Sequence, residues 1–373
     1  MIARKVGLVD KPDTTRKLHT SAIPLVGGIV VFCAVLITSL VVFLSFDISS
    51  RPTNRGELLG LLFGCAIVLI VGVLDDRFNL RGRQKLMGQI LAVTVLIAFG
   101  FRFDSIQIMG VTFEFGIFSY LVVYAWCLAS INSVNLLDGA DGFAATIGFI
   151  LCMALSVMSF YVGMTIDGLL CMAMAGALLG FLRYNFPPAK AYLGDAGSML
   201  LGLFLGAVAI RSGFKQNMAY SVFAPIALLA IPFIDTSAAI IRRRFTGRSI
   251  YTEDRGHLHH ILAKKGLSPV GSLMWVAALC TMTAAGGTIS LIMRQAEFAL
   301  ASIALVIFVM VSGGLFGVAE AKLLQRRFSG FLRTFTSLKR NTTTIGVHES
   351  AIHLQGNRNW ADIWNQLSSF ANP

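Results

Sequence analysis

Charge is scarce in this chain. Of its 373 residues only 13% are Asp, Glu, Lys or Arg, about half the usual share, while 55% are hydrophobic and the mean hydropathy is +0.73. That shortage excludes disordered, collagen-like and nucleic-acid-coating proteins, and it argues against a soluble enzyme. Cysteine pairing is also missing. Cys33, Cys65, Cys127, Cys152, Cys171 and Cys280 all lie in apolar stretches without CxxC spacing, so neither a disulfide framework nor a zinc site is expected. The first 24 residues carry Lys5, Lys11, Arg16 and Lys17 before any apolar run begins, so no cleavable signal is expected. A polytopic membrane protein remains.

Ten apolar runs are long enough, or nearly so, to cross a hydrocarbon core of about 30 Å: 25–46, 57–74, 86–100, 117–137, 140–162, 164–183, 195–210, 217–241, 270–293 and 297–319. The fold class expected is therefore all-α, a transmembrane helix bundle of about ten spans. The loosely alternating segment from Phe101 to Phe115, with Gly110 inside it, predicts a small external β-hairpin. Residues 1–320 form the membrane domain in this reading, and 321–373 a basic and polar cytoplasmic tail. The net charge of +12 is distributed unevenly. Termini and the loops alternating with them hold 25 Lys and Arg, against six on the other side (Arg51, Arg55, Arg102, Arg211, Lys215 and Arg294), which predicts cytoplasmic termini.

The acids are one-sided as well. Asp75, Asp76, Asp138, Asp141, Asp195, Glu253 and Asp254 fall at the cytoplasmic ends of spans, whereas no cluster of acids is expected on the outer side. Acids abutting apolar helices are costly and therefore functional candidates. Adjacent Asp75 and Asp76 end a span and should point about 100° apart on a helix, one toward the bundle and the other toward a base or metal. Helix-end solvation beside Arg77 and Arg83 is the plainer alternative. Asn132, Asn135, Asp138 and Asp141 recur every three residues, with Gly139 and Gly142 breaking the helix where the acids arrive; hard oxygen ligands on such a turn suit Mg²⁺. In YLGDAGS, Asp195 serves either as a plain N-cap or beside a helix N-terminus open to phosphate. The stretch from Arg242 to Leu267 holds Arg242, Arg243, Arg244 and Arg248, then Asp254, Arg255, His257, His259 and His260. That set suits phosphate better than zinc. Asp235, inside the eighth run, is expected to pair with a base or hydroxyl and is assigned no catalytic role. Lys11 to His19 either lines the same cavity or is a solvated arm.

In this order the blocks VDKPDTTRKLH with IPLVGG, LDDR, NSVNLLDGADG, YLGDAGS, and RRRFTGRS followed by DRGHLHH resemble the polyprenyl-phosphate N-acetylhexosamine-1-phosphate transferase family. The likeness runs from about Arg4 to Leu267. The DRGHLHH form is similar to the branch using UDP-GlcNAc and undecaprenyl phosphate. The family usually has an eleventh span ahead of the VDKP segment, and this chain starts a few residues before that segment.

The resemblance implies that Asn135 and Asp195 ligate Mg²⁺, with Mn²⁺ as a substitute. It places Asp75 and Asp76 at the lipid phosphate, Asp75 as a candidate base, with Lys85 holding that phosphate. Asn132, Asp138 and Asp141 would contribute to the nucleotide-sugar pocket, while Arg243, His257, His259 and His260 would bind pyrophosphate and sugar. The expected reaction transfers GlcNAc-1-phosphate from UDP-GlcNAc to undecaprenyl phosphate, giving GlcNAc-diphospho-undecaprenol and UMP at the cytoplasmic face of a bacterial inner membrane. Products of O-antigen, common-antigen or teichoic-acid type would follow. Expected partners are both substrates and the bilayer, without nucleic acid; a homodimer stays open. Another UDP-2-acetamido sugar is the nearest alternative. An ion-coupled transporter is the rival from another class, disfavoured because only Asp235 lies deep.

Overall fold

A computed structural model of the chain describes residues 7–10, 22–45, 55–103, 105–108, 111–212, 219–245 and 256–315. All ten apolar runs are helical there. They form α1 (Gly27–Ser45), α2 (Arg55–Phe78), α3 (Gly82–Ala98), α4 (Phe118–Leu137), α5 (Phe143–Tyr161), α6 (Thr165–Asn185), α7 (Gly194–Ser212), α8 (Ala219–Leu228) with α9 (Ala230–Phe245), α11 (Pro269–Met293) and α12 (Ala296–Ser312); the short α10 (Leu258–Lys264) precedes α11. Two strand pairs complete the described elements: β1 (Val9–Asp10) against β2 (Ile23–Pro24), and β3 (Ser105–Ile108) against β4 (Val111–Glu114). The second pair is the hairpin expected between Phe101 and Phe115. The chain divides into residues 1–324 and 325–373, and the latter unit lies outside the described residues.

Six helices, α2, α4, α5, α6, α7 and α11, are individually long and apolar enough to cross a membrane. The eighth run departs from a straight span. Its two halves, α8 and α9, meet at 68° around Leu229. Pro232 lies in the first turn of α9, and without an N–H it cannot bond the Leu228 carbonyl, so the ladder is interrupted where the bend falls. With this pair counted as one span the chain is a multi-pass helical membrane protein.

α7 is the axis of the bundle. Nearly all of it is buried, against α1, α2, α4 and α5, which explains why its middle, from Met199 to Ile210, is apolar on every face. The fit is closest at its beginning. A Cβ on Gly72 of α2 would stand 2.3 Å from Ala196 Cα, and one on Gly28 of α1 only 2.4 Å from the Gly197 nitrogen, so only glycine lets both helices approach. Lower on α7, Ser130 Oγ donates to the Gly202 carbonyl at 2.7 Å and Trp126 Nε1 to the Gly206 carbonyl at 3.0 Å. These bonds satisfy polar groups that lipid would leave unpaired.

The end of the bundle away from the start of α7 corrects one expectation. Acids there do cluster: Arg211 Nε donates to both oxygens of Asp167, at 3.0 and 2.9 Å, and its Nη1 meets Glu57 Oε2 at 2.5 Å, all three side chains being buried. The triad ties α2, α6 and α7 together. At the other end the β1–β2 pair clamps the approach to α7, since Tyr192 N–H donates to the Pro24 carbonyl, and Gly27 and Gly28 donate to the carbonyls of Tyr192 and Leu193. Lys265 Nζ also reaches the Gly313 carbonyl there, so α12 finishes beside the start of α11. Consecutive helix ends alternate accordingly, and the described loops rich in Lys and Arg share this end.

Candidate functional site

α2 delivers its two final acids in different directions, as adjacent positions on a helix require. Asp75 is buried and turns toward α3. Its Oδ1 accepts the Leu80 N–H at 2.7 Å, closing the turn in which Asn79 adopts φ +50, and its Oδ2 forms an ion pair with Lys85 Nζ. Asp76 turns toward α7, where Oδ1 accepts the Asp195 N–H at 2.8 Å and Oδ2 the Ala196 N–H at 3.2 Å. The first donors of α7 are thus capped from another helix rather than left open to phosphate.

With that cap supplied by Asp76, the Asp195 side chain is spared from capping its own helix. Its Oδ2 lies 3.0 Å from Lys85 Nζ and its Oδ1 2.5 Å from Asn135 Nδ2. Lys85 therefore joins Asp75 to Asp195 across the gap between α2 and α7. Asn135 also donates to Ser198 Oγ at 2.9 Å, and Ser198 in turn donates to the Gly194 carbonyl. One turn earlier on α4, Asn132 Nδ2 donates to Gln89 Oε1 at 2.8 Å and to the Leu128 carbonyl. Asn132 thus faces α3 beside the Asp75–Lys85–Asp195 group.

The following turn is crowded with negative charge. Enclosure at the end of α4 pushes the Asp138 carboxyl well above the usual carboxylate range, and nearby Asp195, Asp76 and Asp141 add to the effect. Asp141 Oδ2 accepts the Ala189 N–H at 2.9 Å and so fixes the loop between α6 and α7. Burial lifts the Tyr192 hydroxyl to about 12, with Asp141 and Asp10 contributing.

The histidines reach this turn through α10. His259 packs so closely on Gly139 that a Cβ there would meet its Cε1 at 2.7 Å, and its ring lies edge-on to Phe143 at 5.6 Å. Both ring nitrogens of His259 are buried without a hydrogen-bond partner, and burial, aided by His260, lowers its pKa to about 4. His257 lies parallel to it, with ring centroids 6.0 Å apart, while the exposed His260 is 4.1 Å away. Arg243 is buried in the last full turn of α9. Arg248, Glu253, Asp254, Arg255 and Lys11 to His19 lie outside the described residues.

The described geometry therefore joins Asp75, Asp76, Lys85, Asn135 and Asp195 directly, Asn132 through α3, and His259 with the Asp138–Asp141 turn. Sequence reasoning missed Gln89 and Ser198. Ser198 closes the YLGDAGS block, so it stood in a recognised block without a visible partner, whereas Gln89 lies outside the blocks, one helical turn from Lys85 inside an apolar run. Asp235 does pair with a base: its Oδ2 is 2.8 Å from His257 Nδ1.

No group of three or more His, Cys, Asp or Glu is poised around a metal among the described residues. Mg²⁺ needs no such cage, because at phosphate sites it takes one or two carboxylates and fills its shell with water and phosphate oxygen. A half-buried Asp195 beside the Asn135 amide, whose oxygen and nitrogen exchange places by rotation, is a donor set of that kind.

A model of glycosyl transferase family 4 matches residues 58–213, from α2 through α7, and so spans every site residue except Arg243 and the histidines. A Bacillus subtilis (strain 168) protein named as a probable undecaprenyl-phosphate N-acetylglucosaminyl 1-phosphate transferase is 32% identical over 269 residues, covering 72% of this chain and 73% of the relative. The chain belongs to the polyprenyl-phosphate N-acetylhexosamine-1-phosphate transferase family. The decaprenyl-phosphate N-acetylglucosaminephosphotransferase of Mycobacterium tuberculosis (strain ATCC 25618 / H37Rv) is also 32% identical, over 72% of each chain. The undecaprenyl-phosphate alpha-N-acetylglucosaminyl 1-phosphate transferase of Escherichia coli (strain K12) is 29% identical over 78% of each. Within the family, the joined carboxylates and lysine lie in the matched region and the histidine helix beyond it.

Proposed function

We propose that this protein transfers GlcNAc-1-phosphate from UDP-GlcNAc to undecaprenyl phosphate at the cytoplasmic face of a bacterial inner membrane. One observation carries the reading: a lysine held between two carboxylates on separate helices, beside an amide and next to a carboxyl-rich turn. Such a site offers a lysine cation to one anionic substrate and, in its carboxylates, ligands for a divalent ion that would offset a second. The unequal distribution of Lys and Arg supports the cytoplasmic placement.

In the proposed reaction an oxygen of the lipid phosphate attacks the sugar-bearing phosphorus of UDP-GlcNAc, a P–O bond forms, and the bond to UMP breaks. Lys85, released from its carboxylates as phosphate arrives, holds the acceptor oxygen in line. Asp75 faces that lysine and orients the nucleophile; because a lipid phosphate is largely ionised at neutral pH, proton removal contributes little. Asp76 acts by fixing the start of α7, and thereby Asp195. Arg243 and the α10 histidines take the donor pyrophosphate and sugar, and Asn132, Asp138 and Asp141 border the same pocket. Asp195 and Asn135 would hold Mg²⁺, which would supply charge neutralisation to the transfer when bound.

The test is UMP release by purified protein in detergent with undecaprenyl phosphate, Mg²⁺ and a panel of UDP-2-acetamido sugars. Turnover that requires both substrates and favours UDP-GlcNAc is expected. Preference for a C4 epimer would move the donor assignment, and an absence of UMP with every donor would remove the reading.

A further inference from the structure

Asp235 and His257 are 22 residues apart in sequence, on either side of the stretch 246–255, and both are buried. Asp235 stands three residues after Pro232, where the broken span resumes as α9. Its two oxygens divide their work. Oδ2 is 2.8 Å from His257 Nδ1, while Oδ1 accepts the Leu258 N–H at 3.0 Å. Leu258 is the first residue of α10, so this is one of the donors that a helix start leaves without a partner inside the helix. One carboxylate thus fixes both the beginning of α10 and the ring that precedes it.

An ionised carboxylate can only accept, so Nδ1 carries the proton and Nε2 is the nitrogen left to face a ligand. We propose that Asp235 is a positioning residue for the transfer reaction: it holds His257 with Nδ1 protonated, so that Nε2 presents its lone pair as an acceptor to a hydroxyl or amide N–H of the donor's sugar. The proposal rests on the donor reading above and extends it to a residue buried in the broken span. It also gives the bend a use. A straight continuation of α8 would carry residue 235 along another axis, whereas the turn at Leu229 delivers its carboxylate to the start of α10.

Asp235→Asn separates positioning from folding. The amide oxygen can keep the Leu258 N–H, but the NH₂ then faces Nδ1, which must give up its proton to accept. His257 should change tautomer while α10 stays in place. The first measurement is ¹⁵N NMR of histidine-labelled protein in detergent, with the His257 signal identified by its loss in His257→Gln. Wild type should have Nδ1 protonated, and Asp235→Asn should have Nε2 protonated.

The second measurement is a double-mutant cycle on UMP release with each substrate varied in turn. Asp235→Asn should lower kcat/KM for UDP-GlcNAc by roughly 10- to 100-fold and leave the apparent KM for undecaprenyl phosphate unchanged. In a His257→Ala background it should cost nothing further, and Asp235→Glu should restore part of the loss. An Nε2-protonated His257 in wild type, or additive losses in the cycle, would overturn the proposal. A wild type that releases no UMP sinks the donor reading instead, and the NMR measurement still decides the pairing.

Discussion

Asp76 caps a helix it does not belong to, its carboxylate receiving the backbone N–H of Asp195 at 2.8 Å across 119 residues of sequence. The contact sets where α7 begins, and the Asp195 side chain, freed from capping, faces Lys85 and Asn135. Asp76→Ala should therefore lose a cap, about 0.5–2 kcal/mol of stability, and lower turnover by displacing Asp195. Asp76→Asn keeps one acceptor and should lose less of both. Thermal unfolding in detergent alongside UMP release checks the pair; unaltered stability in Asp76→Ala would mean that the cap contributes nothing.

Asp195→Asn should abolish turnover and weaken the Mg²⁺ dependence while the protein remains folded. Its side chain faces a polar gap, so losing one charge there need not disturb the apolar helix behind it. Near-normal activity with an unchanged Mg²⁺ requirement would show that another residue holds the ion.

The buried triad at the opposite end makes a contrasting case. Arg211→Met leaves the carboxylates of Glu57 and Asp167 without their shared guanidinium, and breaking such a buried pair costs about 3–5 kcal/mol. Activity per folded molecule should stay close to wild type, because none of the three touches the candidate site. Replacing all three with apolar residues of similar volume should recover most of the stability. Equal losses of stability in the single and triple variants would refute the account.

Hydropathy made all ten helical runs legible, since lipid demands apolar length whatever the packing. The alternation between the two ends followed from the distribution of Lys and Arg. The bend at Leu229 was hidden because membrane helices tolerate proline, and Pro232 alone does not say whether a span will kink or continue. The triad was hidden for a different reason: Arg211 finds Asp167 across 44 residues and Glu57 across 154, and only the folded bundle brings those separations together. At the candidate site, the three-residue spacing from Asn132 to Asp141 did mark residues that crowd one end of α4. Their division of labour was not visible, because Asp75 and Asp76 differ only in the helix each faces.

His259 offers a test by pH. Its folded pKa is about 4, whereas an unfolded histidine takes up its proton near 6.5. Its full contribution to stability is present above about pH 6.5, and as pH falls the unfolded chain binds a proton that the folded protein refuses. The folded state should lose a few kcal/mol by about pH 4, and His259→Gln should flatten that part of the profile. Denaturation followed from pH 7 to pH 4 measures it; an unchanged slope in the variant would mean that the ring titrates freely.

The two substrates should separate by residue. Arg243 and His257 lie on α9 and at the start of α10, while Lys85 on α3 stands between Asp75 and Asp195, so the donor and the lipid phosphate would be held by different helices. A guanidinium on the pyrophosphate should tighten its hold as charge moves toward UMP, and the His257 ring would accept from the donor's sugar. Arg243→Ala and His257→Ala should therefore cost on the order of 2 to 4 kcal/mol in kcat/KM for UDP-GlcNAc, roughly 30-fold to 10³-fold, with little change in the apparent KM for undecaprenyl phosphate. Lys85→Ala should be biased the other way, since the lysine is the nearest cation to the place proposed for the acceptor oxygen. Steady-state UMP release with each substrate varied in turn distinguishes the two patterns. If the Arg243 and His257 variants altered only the apparent KM of the lipid, the α9–α10 region would serve the acceptor, and the assignment of the two anions would have to be exchanged.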